Sequence, residues 1–246
     1  MALSSAFDEG KLILEYFKAH PPAAEPGTMI DVGAQFGTSF REYLGMGWRV
    51  IAVEPDATKH EKLRRFAGDE RFTLVADAVG ENASERAAFY TSEESTGIAS
   101  LLAFRESHCE AMRVRVTTLR RIIAKHDVRR LNYLKVDTEG YDLAVLRGFP
   151  WELTHVRPEV VMAEFDELKT VHLGHTYQAI GDLLLEQGYA VWLSEWRPIV
   201  RYGVEHTWDS IRQYPCELRH EKAWGNFIAV RGNADAAAMQ RLVAKH

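Results

Sequence analysis

The sequence predicts an α/β protein built on a mostly parallel sheet, and three observations carry that prediction. From Thr28 onward, short apolar segments alternate with segments of helical pattern, and strands separated by helices form parallel βαβ units. The apolar segments are apolar throughout, as strands covered on both faces must be. With 246 residues, 46% hydrophobic and 26% charged, the chain can bury the core of one large domain.

Residues 8–19 place Leu12, Ile13, Tyr16 and Phe17 on one helical face. Pro21, Pro22, Pro26 and Gly27 then break the chain. Residues 1–27 are therefore read as an N-terminal helix and connector, and 28–246 as the main domain. Thr28–Gly33 is a first strand, and Thr38–Leu44 a helix with Thr38 or Ser39 near its N-cap. Arg49–Glu54 is a second strand, Thr58–Phe66 a helix, and Arg71–Ala78 a third strand. Arg86–Thr91 and Met112–Val116 read as extra strands, inserted between the third and fourth and joined by a polar loop. Thr118–His126 is a helix, and Leu131–Asp137 an apolar strand followed by a turn and a helix through Arg147. Pro158–Phe165 is the next strand, and His175–Gln187 a helix that Gly188 stops. Tyr189–Trp196 and Asn226–Val230 are late strands, and Ala234–Lys245 a closing helix.

The net charge is −5, so no overall basic field favours nucleic acid. The local basic segment Arg120, Arg121, Lys125, Arg129 and Arg130 reads as a solvated helix face. Cys109 and Cys216 match no metal or redox spacing and read as free thiols. The chain shows neither a secretory leader pattern nor an apolar run of the roughly 20 residues a membrane helix needs. The expectation is a cytoplasmic protein without a membrane span.

The strongest local signal is Asp31-Val32-Gly33-Ala34-Gln35-Phe36-Gly37-Thr38, where the first strand meets the first helix. Gly33 and Gly37 allow a tight turn and close approach to a ligand, at the edge where open α/β sheets bind ligands. Glu54 ends the second strand, 21 positions after Gly33, where an acid can accept from ribose hydroxyls. Asp77 ends the third, where a carboxylate can accept from an adenine amino group, and Ala78 offers its backbone. Together these indicate an adenosine-type ligand. The glycines are spaced G-x-x-x-G, with Gln35 at the position where a dinucleotide fingerprint needs its middle glycine, so a cofactor without pyrophosphate fits better.

The sequence resembles class I S-adenosylmethionine-dependent methyltransferases, and more narrowly the FkbM-type family. The residues that carry the resemblance are Ile30 through Thr38, Val53-Glu54-Pro55 and Ala76-Asp77-Ala78-Val79-Gly80. The narrower match is Val116-Thr117-Thr118-Leu119, then Leu134-Lys135-Val136-Asp137-Thr138-Glu139-Gly140-Tyr141 and Val145-Leu146-Arg147-Gly148. The likeness runs from about residue 28 to about 231. Two positions depart from it: Gln35 stands where the family usually has Asn, and Arg120 where it has Asp after "TL". The resemblance implies a Rossmann-like, seven-stranded sheet with the last strand antiparallel and helices on both faces. It implies S-adenosylmethionine as methyl donor and O-methylation of a small molecule or glycan, most naturally a sugar hydroxyl. It places Asp31, Gly33, Gln35, Gly37, Thr38, Ser39, Glu54, Pro55, Asp77, Ala78 and Asp137 at the cofactor, with Asp137 near its methionine part.

An alcohol must lose a proton to be methylated, so a base or a metal is expected. Asp137 and Glu139 end the fourth strand, Glu164 and Asp166 the fifth, and His172 and His175 follow. The catalytic candidates are Asp137, Glu139 and His175. Asp137 can instead hold the cofactor's ammonium group, Glu139 can cap the next helix, and His175 can simply open one. These groups can also hold a divalent cation such as Mg²⁺ through oxygen ligands. The acceptor side is expected from the Ser92–Ser107 loop and from Trp196–Tyr214, whose Trp196, Tyr202, Trp208 and Tyr214 suit stacking or ordinary packing. The alternatives are a methyltransferase for a polyketide-type product, a nucleic-acid methyltransferase, a nicotinamide dehydrogenase, and a cofactor-binding sensor or inactive partner without catalysis.

Overall fold

The computed structural model describes residues 7–23, 26–92, 95–103, 106–199 and 206–246. Helix α1 (Glu9–Ala19) precedes β1 (Thr28–Val32), α2 (Arg41–Gly45), β2 (Arg49–Val53), α3 (Ala57–Arg64) and β3 (Phe72–Val75). Four strands follow: β4 (Ala78–Val79), β5 (Ser84–Ser92), β6 (Ser95–Ser100) and β7 (His108–Thr117). The chain continues through α4 (Leu119–Lys125), β8 (Tyr133–Val136), α5 (Asp142–Arg147), β9 (Val160–Asp166), α6 (Glu167–Thr170) and α7 (Gln178–Glu186). It ends with β10 (Tyr189–Trp196), β11 (Trp208–Gln213), β12 (Trp224–Arg231) and α8 (Asn233–Val243).

Among the described residues the large sheet has the order β11-β10-β12-β9-β8-β1-β2-β3. Strands β3, β2, β1, β8 and β9 are parallel, while β12 runs antiparallel to both β9 and β10. The expected strands are present, with the last in the chain antiparallel. An eighth, β11, pairs antiparallel on the β10 edge, inside the segment expected to be an acceptor loop. The extra strands form a separate sheet in the order β4-β7-β5-β6, so the expected polar loop after Ser92 contains a strand.

Side chains alternate across each strand, and this divides the core. Ile30, Val32, Leu134 and Val136 pack with α4, α5 and α7. Met29, Tyr133 and Val160 pack with α1, α2 and α8. Leu12, Ile13, Tyr16 and Phe17 of α1 are all buried in this second layer. The same alternation brings Asp31 and Lys135, register neighbours on β1 and β8, to the α1 side of the sheet. The strand order reverses between β1 and β8, and the carboxyl ends of strands at such a point frame a ligand crevice.

Two local expectations are corrected. Helix α2 begins at Arg41, and its N-cap Phe40 makes no side-chain cap. The Ser39 hydroxyl donates instead to the Asp31 carboxylate, a charged acceptor and so a stronger partner than a backbone amide. Arg120 points to solvent and pairs with Glu152 at 2.5 Å, while Thr118 caps α4. The other basic residues of that segment are exposed. Cys109 and Cys216 are free thiols. No helix among the described residues is long and apolar enough to cross a membrane.

Candidate active site

The β1–α2 loop is built around one close approach. Gly33 has φ +82°, and a side-chain carbon there would lie 1.9 Å from the Asp137 carbonyl oxygen. Only glycine lets the loop cross the end of β8. Gly37, at φ +81°, lies against the Phe40 and Phe66 rings and shapes the far side of the loop. Gln35 adopts φ +46°, and its N–H donates to Glu54 Oε2 at 2.9 Å. The Asp56 N–H donates to Glu54 Oε1, also at 2.9 Å. Glu54 therefore ties the loops after β1 and β2 together, and each of its oxygens retains capacity for a further donor. Burial pushes its carboxyl above the usual range, opposed by Lys59 and the two backbone donors.

Gly33, Gln35, Glu54, Pro55, Asp77, Ala78 and Asp137 line one cleft. The small sheet supplies an apolar wall through Val79 and Phe89, joined by Leu101 and Tyr141. Asp77 is held by Arg115 through two bonds of 2.9 Å. The lining fits an adenosine-bearing ligand: acids at the strand ends, and an apolar slot between them for a ring. Asp31 is fully buried, accepting from Ser39, with Lys135 Nζ 3.4 Å from its second oxygen. Thr38 is exposed. Asp31, Gly37, Thr38 and Ser39 are not among the lining residues.

The turn after β8 is fixed by side chains. Asp142 accepts from the Thr138 N–H at 2.9 Å and the Gly140 N–H at 3.1 Å. The Ser100 hydroxyl, at the end of β6, donates to the Glu139 carbonyl at 3.0 Å. These bonds hold Glu139 at φ +57°, a conformation that costs a non-glycine residue of order 1 kcal/mol or more. The Lys169 ammonium approaches Glu139 Oε2 at 2.6 Å, Asp166 Oδ2 at 3.1 Å and Glu164 Oε2 at 3.3 Å. Lys135 pairs with Asp137 at 3.1 Å. One oxygen from each of Asp137, Glu139 and Glu164 lies within 4.8 Å of the others. Burial raises Glu139 to about 7, with Lys169 opposing and Asp137 adding to the rise. Asp142 is raised to about 6 by burial and by Asp137, and Glu164 well above the carboxylate range, chiefly by burial.

The acids expected at the ends of the fourth and fifth strands thus converge. His175 does not join them: it lies outside the cleft lining, half-buried, and burial holds it below the usual imidazole range. The His172 side chain lies outside the described residues. Lys169 was not anticipated; its only signal in the sequence is its place three residues after Asp166, where one helical turn returns it to the strand ends. On the acceptor side, Tyr202 lies outside the described residues. Tyr214 packs under α7 and donates to Asp182 at 2.6 Å, and Trp208 stacks on Phe7. Trp196 stacks on Trp224 with centroids 5.3 Å apart, and Trp224 sits in register with Asp166.

The methyltransferase FkbM domain family matches residues 31–191. No curated protein matches. Among solved structures, the chain is similar to a precorrin-6Y C5,15-methyltransferase from Geobacter metallireducens, at 12% identity over 94% of each chain with a TM-score of 0.40. A 1,6-didemethyltoxoflavin-N1-methyltransferase from Burkholderia thailandensis, solved with S-adenosylhomocysteine, is similar at 14% identity over 92% of this chain and 80% of that one, TM-score 0.41. An rRNA methylase from Streptococcus thermophilus is similar at 12% identity over 91% of this chain and 95% of that one, TM-score 0.38.

Proposed function

This chain belongs to the FkbM family of S-adenosylmethionine-dependent methyltransferases, and from that premise we propose that it methylates a hydroxyl oxygen of a small molecule or glycan, with a sugar hydroxyl as the preferred acceptor. The observation that carries the oxygen assignment is Glu139, a carboxyl group at the edge of the cleft that burial raises to about 7 against the opposing Lys169 ammonium. A base with that affinity is matched to taking a hydroxyl proton at neutral pH.

S-adenosylmethionine supplies, when bound, a methyl group on a sulfonium that departs as a neutral thioether. Glu54 would hold the ribose hydroxyls, and Asp77 with the Ala78 backbone would hold the adenine edge, with Phe89 and Leu101 lining the same cleft. Asp137, paired with Lys135, would hold the ammonium of the methionine part. Glu139 accepts the acceptor's proton and orients its oxygen, and such positioning is worth roughly 7–11 kcal/mol. The Trp196–Trp224 stack beside Asp166 supports an acceptor with a ring face.

The test is methyl transfer from labelled S-adenosylmethionine to a panel of sugars, nucleosides, amines and phenols, with Glu139→Gln in parallel. Transfer to a sugar hydroxyl that Glu139→Gln abolishes supports the proposal. Transfer only to nitrogen or carbon overturns it.

A further inference from the structure

We propose that Lys135 is the positioning residue for the cofactor's amino-acid end: anchored on buried Asp31, its ammonium holds the Asp137 carboxylate at the cleft, ready for the ammonium group of the methionine part. This rests on the reading of Asp137 as the acid that takes that group.

Lys135 is a charged residue where the sheet favours apolar ones. It lies in β8 between Leu134 and Val136, on a strand with parallel neighbours on both sides, and is 7% exposed. A leucine or methionine would fill such a position without desolvating a charge, so stability alone does not call for lysine. Strand geometry shows where the charge goes. Side chains two residues apart share a face, so Lys135 reaches Asp137, just past the end of β8, and Nζ donates to Oδ2 at 3.1 Å. Asp31 is opposite Lys135 in the β1 register, and its Oδ1 is 3.4 Å from the same nitrogen. Asp31 is fixed in turn: it is fully buried, and its Oδ2 accepts from the Ser39 hydroxyl.

The three groups run from the core to the cleft. Neither Asp31 nor Lys135 lines the cleft, whereas Asp137 does, with its side chain 32% exposed. A lysine alone beside Asp137 would repel the cofactor's ammonium. Asp31 offsets that charge, and Asp137 then offers its own charge to the cleft, with one oxygen tied to Lys135 and the other left for a ligand donor. The remaining ionisable groups near Asp137 are Glu139, Glu164 and Asp142, with Lys169 against the first two. They come from the turn after β8, β9, α5 and α6, and stay unchanged when Lys135 or Asp31 is substituted.

The experiment is calorimetry with two probes that share adenosine and differ in the amino-acid part: S-adenosylhomocysteine, and 5′-methylthioadenosine, which carries only a methyl group on its sulfur. Wild type is expected to bind the first about tenfold or more tightly than the second. Lys135→Met weakens S-adenosylhomocysteine by about tenfold or more and methylthioadenosine by less than about twofold. Asp31→Asn keeps its shape and does not line the cleft. It weakens S-adenosylhomocysteine by about threefold or more and spares methylthioadenosine, and it decides the matter if Lys135→Met does not fold. In the Lys135→Met background the Asp31→Asn effect disappears, because the anchor has nothing left to hold. Folded single variants that lose both probes equally, or lose neither, would overturn the inference, as would a full Asp31→Asn effect without the lysine. Asp137→Ala separates the two claims. If it abolishes the preference for S-adenosylhomocysteine while the Lys135 and Asp31 variants keep it, only the inference about Lys135 falls. If it keeps the preference, the reading of Asp137 falls and this inference with it. Wild type that binds neither probe removes the cofactor reading itself.

Discussion

The Asp137 carbonyl oxygen stands 1.9 Å from the point a side chain on Gly33 would occupy. The first strand's loop and the fourth strand's end are thus in direct backbone contact, at the place where the sheet order reverses. Gly33→Ala meets both this clash and a left-handed φ. It should destabilise the protein by about 1–3 kcal/mol or more and weaken S-adenosylhomocysteine binding at least tenfold. Denaturant unfolding and calorimetry check the two effects; wild-type behaviour in both would mean the loop is not held as described.

The pH dependence follows from Glu139. Its affinity for a proton is raised to about 7, and the base acts only when deprotonated. The rate is therefore low below that pH and rises as pH passes through it. A profile of kcat/KM from pH 5 to 9 checks this, and a profile flat across that range would exclude Glu139 as the base.

Under the proposed function, substitution of Trp224 separates acceptor binding from cofactor binding. It stacks on Trp196 and is not among the residues lining the cofactor cleft. Trp224→Ala should raise the acceptor KM at least fivefold, about 1 kcal/mol by the usual conversion, and leave S-adenosylhomocysteine affinity within twofold. Equal loss of both would assign the ring to packing.

Glu9 anchors α1. Its carboxylate is buried and accepts from the Ser194 hydroxyl at 2.6 Å and the Trp196 indole N–H at 2.7 Å. Glu9→Ala leaves both donors without that acceptor in the core, which costs about 1–3 kcal/mol. Chemical denaturation measures it, and a change below 0.5 kcal/mol would contradict the role.

The strands and cofactor-side acids were legible because each depends on local pattern: buried strands are apolar runs, and Glu54 and Asp77 end two of them. What the sequence hid depends on tertiary contact. Ser39 looks like a helix cap until Asp31, buried eight residues earlier, draws its hydroxyl away. The β6 segment Ser-Thr-Gly-Ile-Ala-Ser has the composition of a turn, yet pairs with β5. β11 is a half-exposed edge strand of weak alternation. The i+3 spacing of Lys169 from Asp166 does not encode its contact with Glu139 from another strand end, and His175 lies before α7, which starts only at Gln178, outside the cleft lining.

The most direct test of the central claim is calorimetric titration of the protein with S-adenosylmethionine and S-adenosylhomocysteine, repeated with Glu54→Ala. Saturable binding weakened at least tenfold by the substitution, about 1.4 kcal/mol, is the result expected if the cleft between the loops after β1, β2 and β3 holds the cofactor. Folded protein that binds neither ligand, or binds both equally well without Glu54, would contradict it.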